Sequence, residues 1–154
     1  MEKLIELYKS WCGEVPASTE RMAGAGSNRE YYRLIGEDGF SVIGVVGTSR
    51  DENHAFVYLA KHFATRQLPV PNILAVSEDG LRYLQGDLGS TSLFDAIAGG
   101  RNAGGRYNQR EKELLVRTIR QLPNIQIRGA RGLDWQNCYP QPEFDEDSVL
   151  FDLN

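Results

Sequence analysis

Gly24-Ala25-Gly26-Ser27-Asn28-Arg29 is the stretch of this 154-residue chain whose residue types could do chemistry. Its glycines supply a bend that residues with a Cβ resist. Ser27, Asn28 and Arg29 put polar groups beside that bend. Such a turn can lay backbone N–H groups against phosphate oxygens, and it also reads as a plain solvated hairpin turn. Gly24-x-Gly26 partly matches the dinucleotide fingerprint, but Arg29 stands where its third glycine belongs. That fingerprint must also open a helix, whereas Glu30 to Ile35 is rich in tyrosine and reads as a strand. A dinucleotide site is therefore not expected.

Other chemical candidates are weaker. Asp145-Glu146-Asp147 could attract Mg²⁺, but it equally forms an acidic first turn of a helix. His54 and His62 fall about two turns apart on one helix with no cysteine near, so no metal site is expected. Cys138 has no base partner in view, which leaves nucleophilic catalysis unsupported. Together with Cys12 it reads as an ordinary reduced thiol, and no catalytic residue is assigned.

The bulk numbers bound the class. A hydrophobic content of 41% is enough for one core. A net charge of −4 gives no reason to expect nucleic acid or an anionic membrane as partner. Met1 begins a charged amphipathic segment, and no apolar run approaches the ~20 residues that span a membrane. A cytoplasmic location is the expectation.

The remaining elements must position the glycine stretch. Leu4, Leu7, Tyr8 and Trp11 predict an amphipathic helix over Glu2 to Trp11, ended by Gly13 and Pro16, its apolar face in the core. Ala17 to Met22, Glu30 to Ile35 and Phe40 to Val46 read as strands, the last apolar on both faces as a central strand is. Gly36-Glu37-Asp38-Gly39 and Ser77-Glu78-Asp79-Gly80 are hairpin turns. Ser49-Arg50-Asp51-Glu52 fits a capping box for a helix to about Thr65, with Phe56, Leu59, Ala60 and Phe63 buried. Pro69 and Pro71 make an extended connector to strands at Ile73 to Val76 and Leu81 to Gln85. That order predicts an α+β lobe, an antiparallel sheet with one helix packed on it. Beyond it come a short helix from Ser90 to Ile97 and a mobile loop from Gly99 to Asn108. A helix over Glu111 to Leu122, terminated by Pro123, and a loop from Gly129 to Phe144 follow. Asp147 to Leu153 reads as a helix start with no stop signal, which predicts a piece of a longer protein.

A glycine loop between antiparallel strands also covers the ATP phosphates in protein-kinase-like folds. The chain resembles the amino-terminal lobe of that fold, in the aminoglycoside phosphotransferase and choline kinase family. Gly24 to Leu34 is similar to the loop and second strand of a bacterial subgroup that includes sugar kinases of cell-wall recycling. Leu68-Pro69-Val70-Pro71-Asn72-Ile73-Leu74 looks like the family's connector. Leu84-Gln85-Gly86-Asp87-Leu88-Gly89, followed by Ser92-Leu93-Phe94-Asp95, is similar to its hinge. The likeness covers about residues 16 to 98.

The resemblance implies a five-stranded nucleotide-binding lobe over residues 1–85, a hinge and linker helix over 86–98, and a truncated helical lobe over 99–154. It implies ATP with Mg²⁺ as cofactors, the Mg²⁺ ligands lying outside this chain, and transfer of the γ-phosphoryl group to a hydroxyl of a sugar, aminosugar or amino-alcohol. Gly24, Gly26, Ser27, Asn28 and Arg29 would cover the phosphates, and Gln85, Asp87 and Leu88 would be the adenine-binding hinge. Glu52 falls where the family's helix glutamate pairs with a third-strand lysine. No lysine lies on that strand, and Gly44 sits near its expected place, so Arg29 or Arg33 is the candidate phosphate cation. No Asp-x-x-x-x-Asn catalytic loop is present, so the chain alone is expected to be inactive. The alternative is a degenerate kinase-like binding or regulatory module. A third reading is a plain α+β domain.

Overall fold

The computed structural model describes residues 1–23, 28–143, 145, 146 and 150. The chain forms two compact units, one of Met1–Asp87 with the segment from Leu133 onward, the other of Leu88–Gly132. The first unit is an α+β body around a five-stranded antiparallel sheet of order β1-β2-β3-β5-β4. Its strands are β1 (Ser18–Arg21), β2 (Glu30–Ile35), β3 (Ser41–Val46), β4 (Ile73–Val76) and β5 (Arg82–Gly86). As its apolar run predicts, β3 is the central strand.

Register decides which side chains share a face. Tyr32 lies opposite Gly44, and Gly44 opposite Leu84. One residue along, Tyr31 lies opposite Val45, and Val45 opposite Tyr83. Because successive side chains point to opposite faces, these two rows look in opposite directions. Tyr32, Leu34, Val42 and Leu84 pack with Leu4, Leu7 and Tyr8 of α1 (Glu2–Cys12). Ile43, Val45 and Tyr83 pack with Phe56 and Val57 of α2 (Arg50–Thr65). The sheet therefore carries a helix on each face, where the element pattern predicts one packed helix.

Local chemistry sets the helix ends. Gly13 closes α1 in the left-handed region at φ 91°, its N–H donating to the Lys9 carbonyl. Ser49 caps α2, its side chain accepting from the Glu52 N–H. The buried residues of α2 are Asn53, Ala55 and Ala60; Phe56 and Val57 are half-buried against the sheet, and Leu59 and Phe63, expected to be buried, are half-buried as well. Asn53 is 2% exposed and donates from Nδ2 to the Gly80 carbonyl at 3.0 Å. That bond ties α2 to the β4–β5 turn. It is invisible to a pattern that counts only apolar positions. The segment after Leu133 returns to α2 through a short 3₁₀ turn at Trp135–Asn137. There the Tyr58 hydroxyl accepts from the Asp134 N–H at 2.8 Å, and His54 Nε2 lies 2.8 Å from Asn137 Oδ1.

The second unit is helical, with α3 (Leu93–Ala96), α4 (Ala98–Asn102) and α5 (Gln109–Pro123). Two expectations are corrected here. The glycine-rich stretch from Gly99 contains α4, and Pro123 does not end the helical path, which continues as a π-helical segment over Asn124–Arg128. An Asn108–Glu111 capping box starts α5. The Glu111 carboxylate also accepts from the Gly100 N–H at 2.9 Å, so one acid fixes both α4 and α5. Those backbone bonds hold its pKa below the ordinary carboxylate value. The helix expected over Asp147 to Leu153 lies outside the described residues. No helix among the described residues is long and apolar enough to cross a membrane.

Candidate functional site

The glycine stretch joins β1 to β2, adjacent antiparallel strands whose pairing continues to a bond from the Met22 N–H to the Tyr31 carbonyl. Gly24, Gly26 and Ser27 lie outside the described residues, and Asn28 is exposed. The strands on either side are pinned by Glu30, whose carboxylate accepts from Arg21 at 2.7 Å and from the Tyr32 hydroxyl at 2.8 Å. Arg21, Met22, Ala23, Arg29, Glu30 and Tyr31 line a recess of about 330 Å³ beside it.

Arg29 is the residue that this fold brings to a partner. Its Nη2 lies 3.0 Å from Glu52 Oε1 and donates to the Glu52 carbonyl oxygen at 3.1 Å. The guanidinium also sits 5.2 Å over the Phe56 ring, and Phe56 stacks on Tyr83 at 5.2 Å. With only 10% of its side chain exposed, Arg29 is held in a dry, cation-attracting setting. The Glu52 N–H engages the Ser49 cap while the carboxylate turns to Arg29. The sequence marks Glu52 as a capping-box acid; its side chain is instead an ion-pair partner across 23 residues.

Gly44 has a different meaning from the one its place in the strand suggests. A Cβ at 44 would meet Leu4 Cδ2 at 2.9 Å and Leu34 Cδ1 at 3.1 Å. Position 44 therefore faces α1, and its glycine lets that helix approach the sheet. The β3 positions that face α2 are Ile43 and Val45, both buried and apolar. A cation opposite Glu52 comes from the start of β2 instead.

Two of the other predicted residues, Arg33 and Asp87, meet at a second place. Arg33 Nε donates to Asp87 Oδ2 at 2.6 Å and Nη2 to Oδ1 at 3.3 Å, and the Ser41 hydroxyl donates to Oδ2 at 2.8 Å. This forked hydrogen bond with Asp87 raises the Arg33 pKa further, so Arg33 stays charged. Gln85 lies opposite Ile43, and its buried Oε1 has no hydrogen-bond partner among the described residues. Leu88 is 77% exposed and belongs to the second unit.

Sequence reasoning missed Phe56 and Tyr83 as parts of the Arg29 setting. Tyr83 is fully buried, and burial pushes its phenol well above the ordinary 10.0. Its hydroxyl has no hydrogen-bond partner among the described residues. The signal that could have found them is spacing, since Phe56 lies one turn after Glu52. No group of three metal-ligating side chains occurs among the described residues. Both cysteines are free thiols. No protein-family model and no curated protein matches the chain.

Proposed function

We propose that this chain is the nucleotide-binding part of a small-molecule phosphotransferase. It would bind Mg²⁺·ATP for transfer of the γ-phosphoryl group to a hydroxyl of a sugar, aminosugar or amino-alcohol. The observation that supports this most is the ion pair between Arg29, at the end of the glycine stretch, and Glu52, on the helix behind the sheet. Kinase-like phosphoryl transfer needs a cation paired to a helix glutamate beside a glycine loop. The order of strands and the capped α2 agree with a kinase-like amino-terminal lobe. Arg29 takes the place that a third-strand lysine has in that scheme. The glycine segment supplies backbone N–H groups to the phosphates. The stretch from Gln85 to Leu88 supplies backbone groups to the base.

The second reading is a kinase-like module without catalysis. It is favoured by the apolar pair Ile43 and Val45 on the α2 face of β3 and by the absence of an Asp-x-x-x-x-Asn loop from the sequence. On either reading the chain alone transfers no phosphoryl group. Calorimetric titration of the intact protein with Mg²⁺·ATP separates them. Saturable binding that is lost in Arg29→Met supports the phosphotransferase reading. No binding at millimolar nucleotide leaves the module.

A further inference from the structure

The ladder between β3 and β5 ends at Gly86, opposite Val42. The next residue, Asp87, is the last of the first unit. Its side chain is only 8% exposed, and two side chains, one from β2 and one from β3, bond to it. Arg33 of β2 grips both carboxylate oxygens, and Ser41, the first residue of β3, donates to one of them. Arg33 is itself only 19% exposed along its side chain. The fork geometry fixes direction as well as distance.

We infer that Asp87 is a positioning residue that anchors the stretch Gln85–Asp87 to the sheet, and that Arg33 is the counter-charge of this anchor and not a phosphate ligand. The inference rests on the nucleotide reading above, since it says how the base-binding backbone is held. Next to the last ladder pair, side-chain bonds from β2 and β3 hold the chain. A main chain that presents N–H and C=O groups to a base must be held there before the ligand arrives. The Asp87 carboxylate does this by reaching back across β3 to β2. Arg33, with Nε and Nη2 on one carboxylate, has its charge already met by Asp87. The cation beside the glycine stretch is Arg29.

The test compares adenosine with Mg²⁺·ATP as ligands in calorimetric titrations of the intact protein. The variants are Arg33→Met, Asp87→Asn, the double variant and Ser41→Ala. An anchor acts on the base-binding backbone, so each single change at the ion pair weakens both ligands by the same factor. The loss expected is about tenfold, as for one lost charge-assisted hydrogen bond. The double variant loses no more than the weaker-binding single, because both remove the same bond. Ser41→Ala strands no charge and keeps the fold, and it weakens both ligands equally by a smaller factor. If the ion-pair variants unfold, Ser41→Ala decides alone. Loss of Mg²⁺·ATP with adenosine unchanged in Arg33→Met overturns the inference and makes Arg33 a phosphate ligand. Unchanged binding of both ligands in Ser41→Ala and Asp87→Asn overturns it as well. A wild-type protein that binds neither ligand overturns the nucleotide reading itself, a result distinct from either.

Discussion

Arg29 and Glu52 meet through two contacts, a 3.0 Å ion pair and a 3.1 Å bond from the same nitrogen to the Glu52 backbone carbonyl. The second contact cannot be removed by changing the acid. Glu52→Gln keeps the carbonyl acceptor and the Phe56 ring beneath the guanidinium, whereas Arg29→Met removes the ion pair, the carbonyl bond and the charge over the ring. A hydrogen bond to a charged group contributes about 1.5–3 kcal/mol. Arg29→Met is therefore expected to lower stability by about that amount, and Glu52→Gln by less, in denaturant unfolding. Equal losses would mean that the carbonyl bond contributes nothing.

Gly44 and Leu4 share one space. A side chain at 44 collides with the Leu4 methyls, so Gly44→Val is expected to cost about 1–3 kcal/mol as overpacking. Leu4→Ala alone leaves a cavity and costs about 2–5 kcal/mol. Combined, the two changes compensate, and the double variant is more stable than the sum of the singles predicts. Strict additivity in thermal unfolding would show that position 44 does not face α1.

Asp79 makes the β4–β5 turn sensitive to acid. Its carboxylate accepts from the Ser77 hydroxyl at 2.7 Å, the Leu81 N–H at 3.1 Å and Arg82 at 2.7 Å. The Ser77 bond first, then the Leu81 bond, lower its pKa from 3.8 to about 2. The folded value lies below the unfolded one, so the fold favours the ionised carboxylate. That contribution is complete above pH ~5 and is lost as pH falls through about 4 towards 2. The Tm difference between wild type and Asp79→Asn should shrink across this window. A difference that stays constant from pH ~6 to ~2 refutes it.

Tyr83 carries a buried hydroxyl with no hydrogen-bond partner among the described residues. Leaving such a group unsatisfied costs about 1–3 kcal/mol, so deleting it removes a penalty. Tyr83→Phe keeps the stack on Phe56 and is expected to leave Tm unchanged or raise it. A loss of more than about 1 kcal/mol would mean that the hydroxyl is satisfied in solution.

Much of the fold was legible because it is written in short-range chemistry. The Ser49 cap, Gly13, the two hairpin turns and the run from Val42 to Val46 each act within a few residues, and all stand where their types predict. Pro123 misled for the same reason. Proline weakens a helix locally, but here the path relaxes into π-helical geometry and continues.

The sequence by itself determined the order of elements, the central place of β3, and the presence of a polar, cationic end to the glycine stretch. Only the tertiary structure decided which cation meets which acid. Arg29 pairs with Glu52 across 23 residues and Arg33 with Asp87 across 54. It also decided that Gly44 faces α1, which moves the search for a cation away from β3. The reason is register. A shift of one residue in a strand sends every side chain to the other face, and no local pattern in Ser41 to Val46 distinguishes its two apolar faces.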